Sequence, residues 1–299
     1  MNVVPALFYE GVVSYFFQKW PLLTGRELTG AFGKVASASY EKGFTHGIWV
    51  DNGRQLPVWL DNAGAYFNWE EKPIDLETAS RKHFRYTSLI ISADLPQYST
   101  DTVGLQKVVR AVRGRPVLLA LETSNISEEI GKCIESIQFC YCLQLATAIT
   151  GEVLKIATSL ARKNTLQLLE IEEDFEIEDQ TTHLLVDLIK QEQFNKMLLP
   201  RNCFPTIKEM IRSWREENSE EISGKTVYCE DSFAGSGLFD EFGFEECTED
   251  DVNDARRFYP FAAQWENISE SHVLRSERGA KLYCFLRESL KFKTLLVFA

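Results

Sequence analysis

Between Leu89 and Cys229 the chain repeats one pattern about six times: a short apolar pair at strand spacing, then an apolar stripe at helical spacing. The pairs are Leu89/Ile91, Leu119/Leu121, Leu143/Leu145, Leu169/Ile171, Met197/Leu199 and Val227/Cys229, recurring every 24 to 30 residues or so. The stripes between them keep one spacing of i, i+3, i+4, i+7. They read Leu105, Val108, Val109, Val112, then Ile130, Cys133, Ile134, Ile137, then Val153, Ile156, Ala157, Leu160. Thr181, Leu184, Leu185, Leu188 and Ile207, Met210, Ile211, Trp214 complete the series. Period two followed by period 3.6, in constant phase, predicts a β–α repeat. Such units cannot bury their apolar faces singly, so they stack. Stacked β–α units usually serve as surfaces that hold another protein.

Composition narrows the function classes. The chain has 299 residues, 44% of them apolar and 12% aromatic, enough to remove about three quarters of the unfolded surface from water. Net charge is −12, with a dense acidic cluster at Glu170, Glu172, Glu173, Asp174, Glu176, Glu178 and Asp179. Nucleic-acid affinity comes from Lys and Arg releasing counterions, so DNA and RNA are not expected partners. Arg81, Lys82, His83 and Arg85 form the one compact basic patch. No apolar run reaches the roughly 20 residues of a membrane span, and the N-terminal stretch lacks a basic signal-peptide region. The expectation is a protein of the cytoplasm or nucleus that does not engage a membrane. Seven cysteines, an odd number with no C-x-x-C pair, read as small buried hydrophobes in a reducing compartment.

Along the chain, Val4, Leu7, Phe8, Val12, Val13, Phe16 and Phe17 make an apolar helical face that Trp20-Pro21 breaks, and a second helix is expected over about Glu27 to Lys42. His46–Val50 and Leu56–Leu60 flank Asp51-Asn52-Gly53, a strong hairpin signal, and a third strand is expected at Ala65–Trp69. This Trp-rich antiparallel element is read as separate from the repeats. Thr248 and Asp251 have the spacing of a helix-capping pair, and Lys281–Leu286 with Lys293–Phe298 read as a closing hairpin. The expected organisation is a helical segment over 1–45, a small antiparallel β element over 46–83, the repeat domain over 84–230 and a C-terminal cap over 231–299.

Motifs that carry chemistry are scarce. None of H-E-x-x-H, G-x-x-x-x-G-K, G-x-S-x-G or G-x-G-x-x-G occurs, and His46, His83, His183 and His272 are scattered along the chain. No metal, cofactor or catalytic set is therefore expected, and an enzyme with a dispersed site ranks third among the function classes.

The opening VPALFYEGVVSYFF resembles the F-box-like start of a large nematode-expanded family whose members continue into leucine-rich-repeat-like β–α units. The matching positions are Val4, Pro5, Leu7, Phe8, Val12 and Val13, and the repeats and the tail KLYCFLRES…KFKTLLVFA extend the likeness over most of the chain. The resemblance implies an α/β fold, a leucine-rich-repeat-like solenoid with a short helical F-box-like segment, a small antiparallel sheet and a C-terminal hairpin cap. It also implies a non-enzymatic substrate-recognition subunit of a cullin-based ubiquitin ligase, docking on a Skp-type adaptor through Val4, Pro5, Leu7, Phe8 and Val12. The same residues could equally pack on the first repeat as an N-terminal cap. The alternative function is then a repeat scaffold or inhibitor that recruits no ligase.

Alternation identifies a candidate surface. If Leu143/Leu145, Leu169/Ile171 and Val227/Cys229 face the helices, then Gln144, Glu170, Glu172 and Tyr228 face away. These four residues are the expected partner-binding set, with the carboxylates favouring a basic segment of the bound protein.

Overall fold

The computed structural model describes residues 116–172, 177–216, 222–258, 268–287 and 291–299, together with 33–34, 37, 44–51, 54–55, 59–62, 84–92, 105–106, 109–110 and 114. The adaptor-docking residues Val4, Pro5, Leu7, Phe8 and Val12, and the strand expected at Ala65–Trp69, lie outside these. The fold class is α/β, with strands and helices alternating and most repeat strands paired in parallel. The chain divides into two compact units, residues 1–140 and 141–299.

In the first unit β1 (Phe44–Asp51) pairs antiparallel with β2 (Arg54–Gln55) and with β3 (Trp59–Asn62). Asp51 lies opposite Arg54, the register that a two-residue Asn-Gly connection demands. The antiparallel element is thus present, but it is not separate from the repeats. β1 also pairs in parallel with β4 (Phe84–Ser92), placing Ile48 beside Leu89 and Val50 beside Ile91. Ile48/Val50 has the strand spacing of a repeat pair, the signal that the Asn-Gly hairpin obscured. β4 pairs in parallel with β5 (Val117–Leu121), and α1 (Glu128–Glu135) follows. Ser127 caps α1, its hydroxyl accepting from the Ile130 amide at 3.3 Å.

In the second unit β6 (Cys140–Leu145), β7 (Leu168–Ile171), β8 (Lys196–Leu199) and β9 (Thr226–Cys229) run parallel in sequence order. The connections are α2 (Gly151–Ala161), α3 (Asp179–Ile189) and α4 (Phe204–Glu216). Each repeat is stitched to its predecessor in the same way. The backbone amides of Gln167, Asn195 and Thr226 donate to the carbonyls of Tyr141, Gln167 and Asn195, and beyond the strands Glu172 and Glu230 donate to Leu145 and Leu199.

Every one of the six strand pairs is buried. So are the described stripe residues, except that on α3 Leu184 is half-buried while Val186 and Ile189 are buried, a slight rotation of that helix about its axis.

The polypeptide then leaves the parallel pattern. After α5 (Leu238–Phe242), β10 (Glu245–Glu246) and α6 (Glu249–Phe258) come β11 (Ile268–Arg275), β12 (Lys281–Arg287) and β13 (Thr294–Phe298). β12 and β13 form the expected hairpin, Leu282 opposite Phe298. β13 also pairs antiparallel with β9, so the hairpin extends the sheet laterally, with β11 and β10 beyond it. β13 is buried along its whole length. Trp214 of α4 meets Phe298 edge-on at 6.4 Å on the helix side, while Leu295 and Val297 face the opposite side.

Candidate functional site

The face of the second unit's sheet turned away from α2–α4 carries the candidate surface. Strand register fixes which side chains are neighbours there. Gln144 on β6 lies beside Glu170 on β7, Glu170 beside Leu198 on β8, and Leu198 beside Tyr228 on β9. Three of the four expected residues therefore occupy one row, about 14 Å long at ordinary strand separation. Antiparallel pairing continues that row through Leu295 and Phe285. The adjacent row reads Cys142, Leu168, Lys196, Thr226, Val297, Tyr283.

The row has two environments. At its β9 end it is closed. Leu198, Tyr228, Val273, Tyr283, Phe285, Leu295 and Val297 form a buried cluster with Ala255 of α6, against which Val252 also packs. Tyr228, expected on an exposed face, is 3% exposed. Alternation assigned it to the correct face, but α6 covers that face where the C-terminal strands extend the sheet beside β9. At the β6–β7 end the row is polar and half-buried: Gln144 donates its side-chain amide to Glu170 Oε2 at 2.9 Å. Glu172, one residue past the end of β7, is exposed and stands outside the row.

Lys196 was not among the four expected binding residues, although alternation places it on their face. It opens β8 on this face, half-buried, with its ammonium 4.6 Å from the centroid of the Tyr228 ring. Burial pushes its ammonium below the ordinary lysine value; Glu170 opposes that shift and Arg287 reinforces it. Tyr228 meets Phe292 edge-on at 6.0 Å. Nearer the sheet's end, Glu230 reaches Lys291 at 3.1 Å and Arg201 at 4.0 Å. A lysine at the first position of a short apolar strand was a legible signal. Its phase is that of Leu198, which the same alternation places facing away from the helices.

α6 is held over the closed end by charge as much as by apolar contact. Asp251 takes Arg275 at 2.8 Å and Lys281 at 3.3 Å, and Asp254 takes Lys281 at 3.0 Å and the Tyr283 hydroxyl at 2.8 Å. Burial pushes the Asp251 carboxyl up, but hydrogen bonds from Thr248, Lys281 and the Arg275 charge outweigh it and hold it at about 2. Burial and Asp254 push the Tyr283 hydroxyl to about 12.

Reactive groups elsewhere are muted. All seven cysteines are free and six are buried, and burial raises the thiol values of Cys133, Cys229, Cys247 and Cys284. A thiol so raised is a poor nucleophile. In the first unit a cleft of about 400 Å³ is lined by Gln106, Val109, Arg110, Glu129, Lys132, Cys133 and Ser136. Among the described residues no group of three or more His, Cys, Asp and Glu side chains is placed to hold a metal, and no helix is long and apolar enough to cross a membrane.

The half-buried polar end of the row can exchange hydrogen bonds and charge with another chain. Comparison with protein-family models, curated proteins and solved structures finds no match.

Proposed function

We propose that this chain is a non-enzymatic, protein-binding β–α repeat protein and that it serves as a substrate-recognition subunit of a cullin-based ubiquitin ligase. On this reading the repeats stack as a leucine-rich-repeat-like solenoid, and residues 1–45 dock on a Skp-type adaptor through Val4, Pro5, Leu7, Phe8 and Val12. The observation that carries the protein-binding part is the divided row. One end is sealed by α6, whereas Gln144, Glu170 and Lys196 stay half-buried on the same face. Burying polar groups has a cost unless they are hydrogen-bonded, so a sheet face that keeps them partly exposed is suited to receive a polar partner. The ligase part is supported by the resemblance of the N-terminal stretch.

A pull-down of the purified full-length chain with the recombinant adaptor tests it. Binding at micromolar concentration, lost in a Leu7→Asp, Phe8→Asp double variant that keeps the wild-type melting temperature, is the expected result. No binding by the wild type would leave a repeat scaffold or inhibitor that holds a protein without recruiting a ligase.

A further inference from the structure

Taken alone, Glu170 and Glu172 would select a basic partner. Their neighbours add a cation to the same face. Glu170 already accepts a hydrogen bond from Gln144. Lys196 feels Glu170 as an opposite charge and Arg287 as a like one. Lys196 forms no ion pair among the described residues; its one close partner is the Tyr228 ring, whose negative face attracts the ammonium but accepts no directional hydrogen bond in the way a carboxylate does. A lysine ammonium carries three donors and no acceptor. Half-buried and in ion-pair contact with no carboxylate among the described residues, it loses hydration that the nearby charge of Glu170 offsets only in part. Phe292, half-buried, packs edge-on against that same ring.

We propose that Lys196 is the anchor of the partner surface and that it receives the carboxylate of an aspartate or glutamate side chain of the bound protein. The inference rests on the protein-binding reading and is independent of the adaptor. The net charge of −12 opposes an acidic partner only at long range, because exposed charges are screened within about 10 Å at ordinary ionic strength. At contact the local groups decide, and Lys196 is the one whose ammonium rests on a ring instead of a carboxylate.

The test uses arrayed capped nonapeptides with a fixed central Glu, Gln or Lys and randomised flanks, presented to the full-length protein. Glu-centred peptides should bind roughly tenfold or more tightly than Gln-centred ones, as expected for a hydrogen bond between charged groups. Lys196→Met should abolish the difference and Lys196→Arg should keep much of it. Lys196→Met should also melt at or above the wild-type temperature, since it removes a half-buried ammonium whose lost hydration outweighs the attraction of Glu170, and this separates lost recognition from lost folding. No discrimination, no binding to any peptide, a preference for Lys-centred peptides, or a Glu preference that survives Lys196→Met would each overturn the proposal. Lys196-dependent selection in a protein that does not bind the adaptor would sink the ligase reading alone. Adaptor binding without peptide selection would sink only this inference.

Discussion

Gln144 and Tyr228 stand in the same register row, yet their substitutions should have unrelated consequences. Tyr228 is packed among Leu198, Phe285 and Leu295 and beneath Ala255. Truncating a buried aromatic leaves a cavity that its neighbours only partly fill. Tyr228→Ala should therefore destabilise the fold by about 3 kcal/mol or more, read as a lower denaturation midpoint at unchanged slope. A loss under about 1 kcal/mol would mean that the ring is not part of the core. Gln144→Ala removes a half-buried side chain and should cost stability little. Its effect should fall on partner binding, because Glu170 loses its hydrogen-bond donor and can turn further toward Lys196. Alternation was sufficient to assign Gln144, Glu170 and Tyr228 to one face, since side-chain direction in a strand follows from period two. It could not tell which part of the face is covered, because the covering residues lie 24 or more positions further along the chain.

At the scale of the element, α6 shows how a short sequence signal and a long-range one combine. Thr248 and Asp251 were legible as a capping pair, and they form one. The Thr248 hydroxyl accepts from the Asp251 amide at 3.2 Å, while Asp251 Oδ2 accepts from the Thr248 amide at 3.1 Å and from its hydroxyl at 2.8 Å. Arg275, Lys281 and Tyr283, which also grip the helix, were not legible as its partners, because only strand register brings them there. Thr248→Ala should cost about 1 kcal/mol, a typical loss for a helix cap. The pH dependence follows from Asp251. Its folded value of about 2 lies below the ordinary 3.8, so the stabilisation is present above pH 4 and is lost as pH falls through 2. A shift of that size corresponds to roughly 2 kcal/mol. Denaturant titrations between pH 6 and pH 2 should show this loss reduced in Asp251→Asn, whose stability at pH 6 should already be lower. An identical acid slope in that variant would place the titrating group elsewhere.

On the scale of the whole molecule, the repeat was legible because one rule generated it. The strand pairs and most stripe residues are buried as the two periods require, and the described pairings among β6–β9 and between β4 and β5 are parallel. The C-terminal segment was legible as a hairpin but not as a continuation of the sheet. Its sequence held a clue: TLLVF has no polar alternation after Thr294, the mark of a strand covered on both faces. The consequence is that the second unit depends on its last strand. β13 lies between β9 and β12 and supplies Leu295, Leu296, Val297 and Phe298, all fully buried, two to each side of the sheet. At about 2 kcal/mol for each buried apolar side chain these four contribute roughly 8 kcal/mol, comparable with the whole stability of an ordinary domain. Deleting residues 294–299 also leaves β9 and β12 without the backbone partners they share. A chain ending at Lys293 should therefore lose the near-ultraviolet circular dichroism of its packed aromatics, and protease should cut within Thr226–Cys229 and Lys281–Arg287, the strands that β13 pairs with in the full-length protein. A truncated chain that kept a cooperative transition of wild-type slope would show that β6–β9 close without β13, and the C-terminal hairpin would then be an appendage to the sheet rather than part of its core.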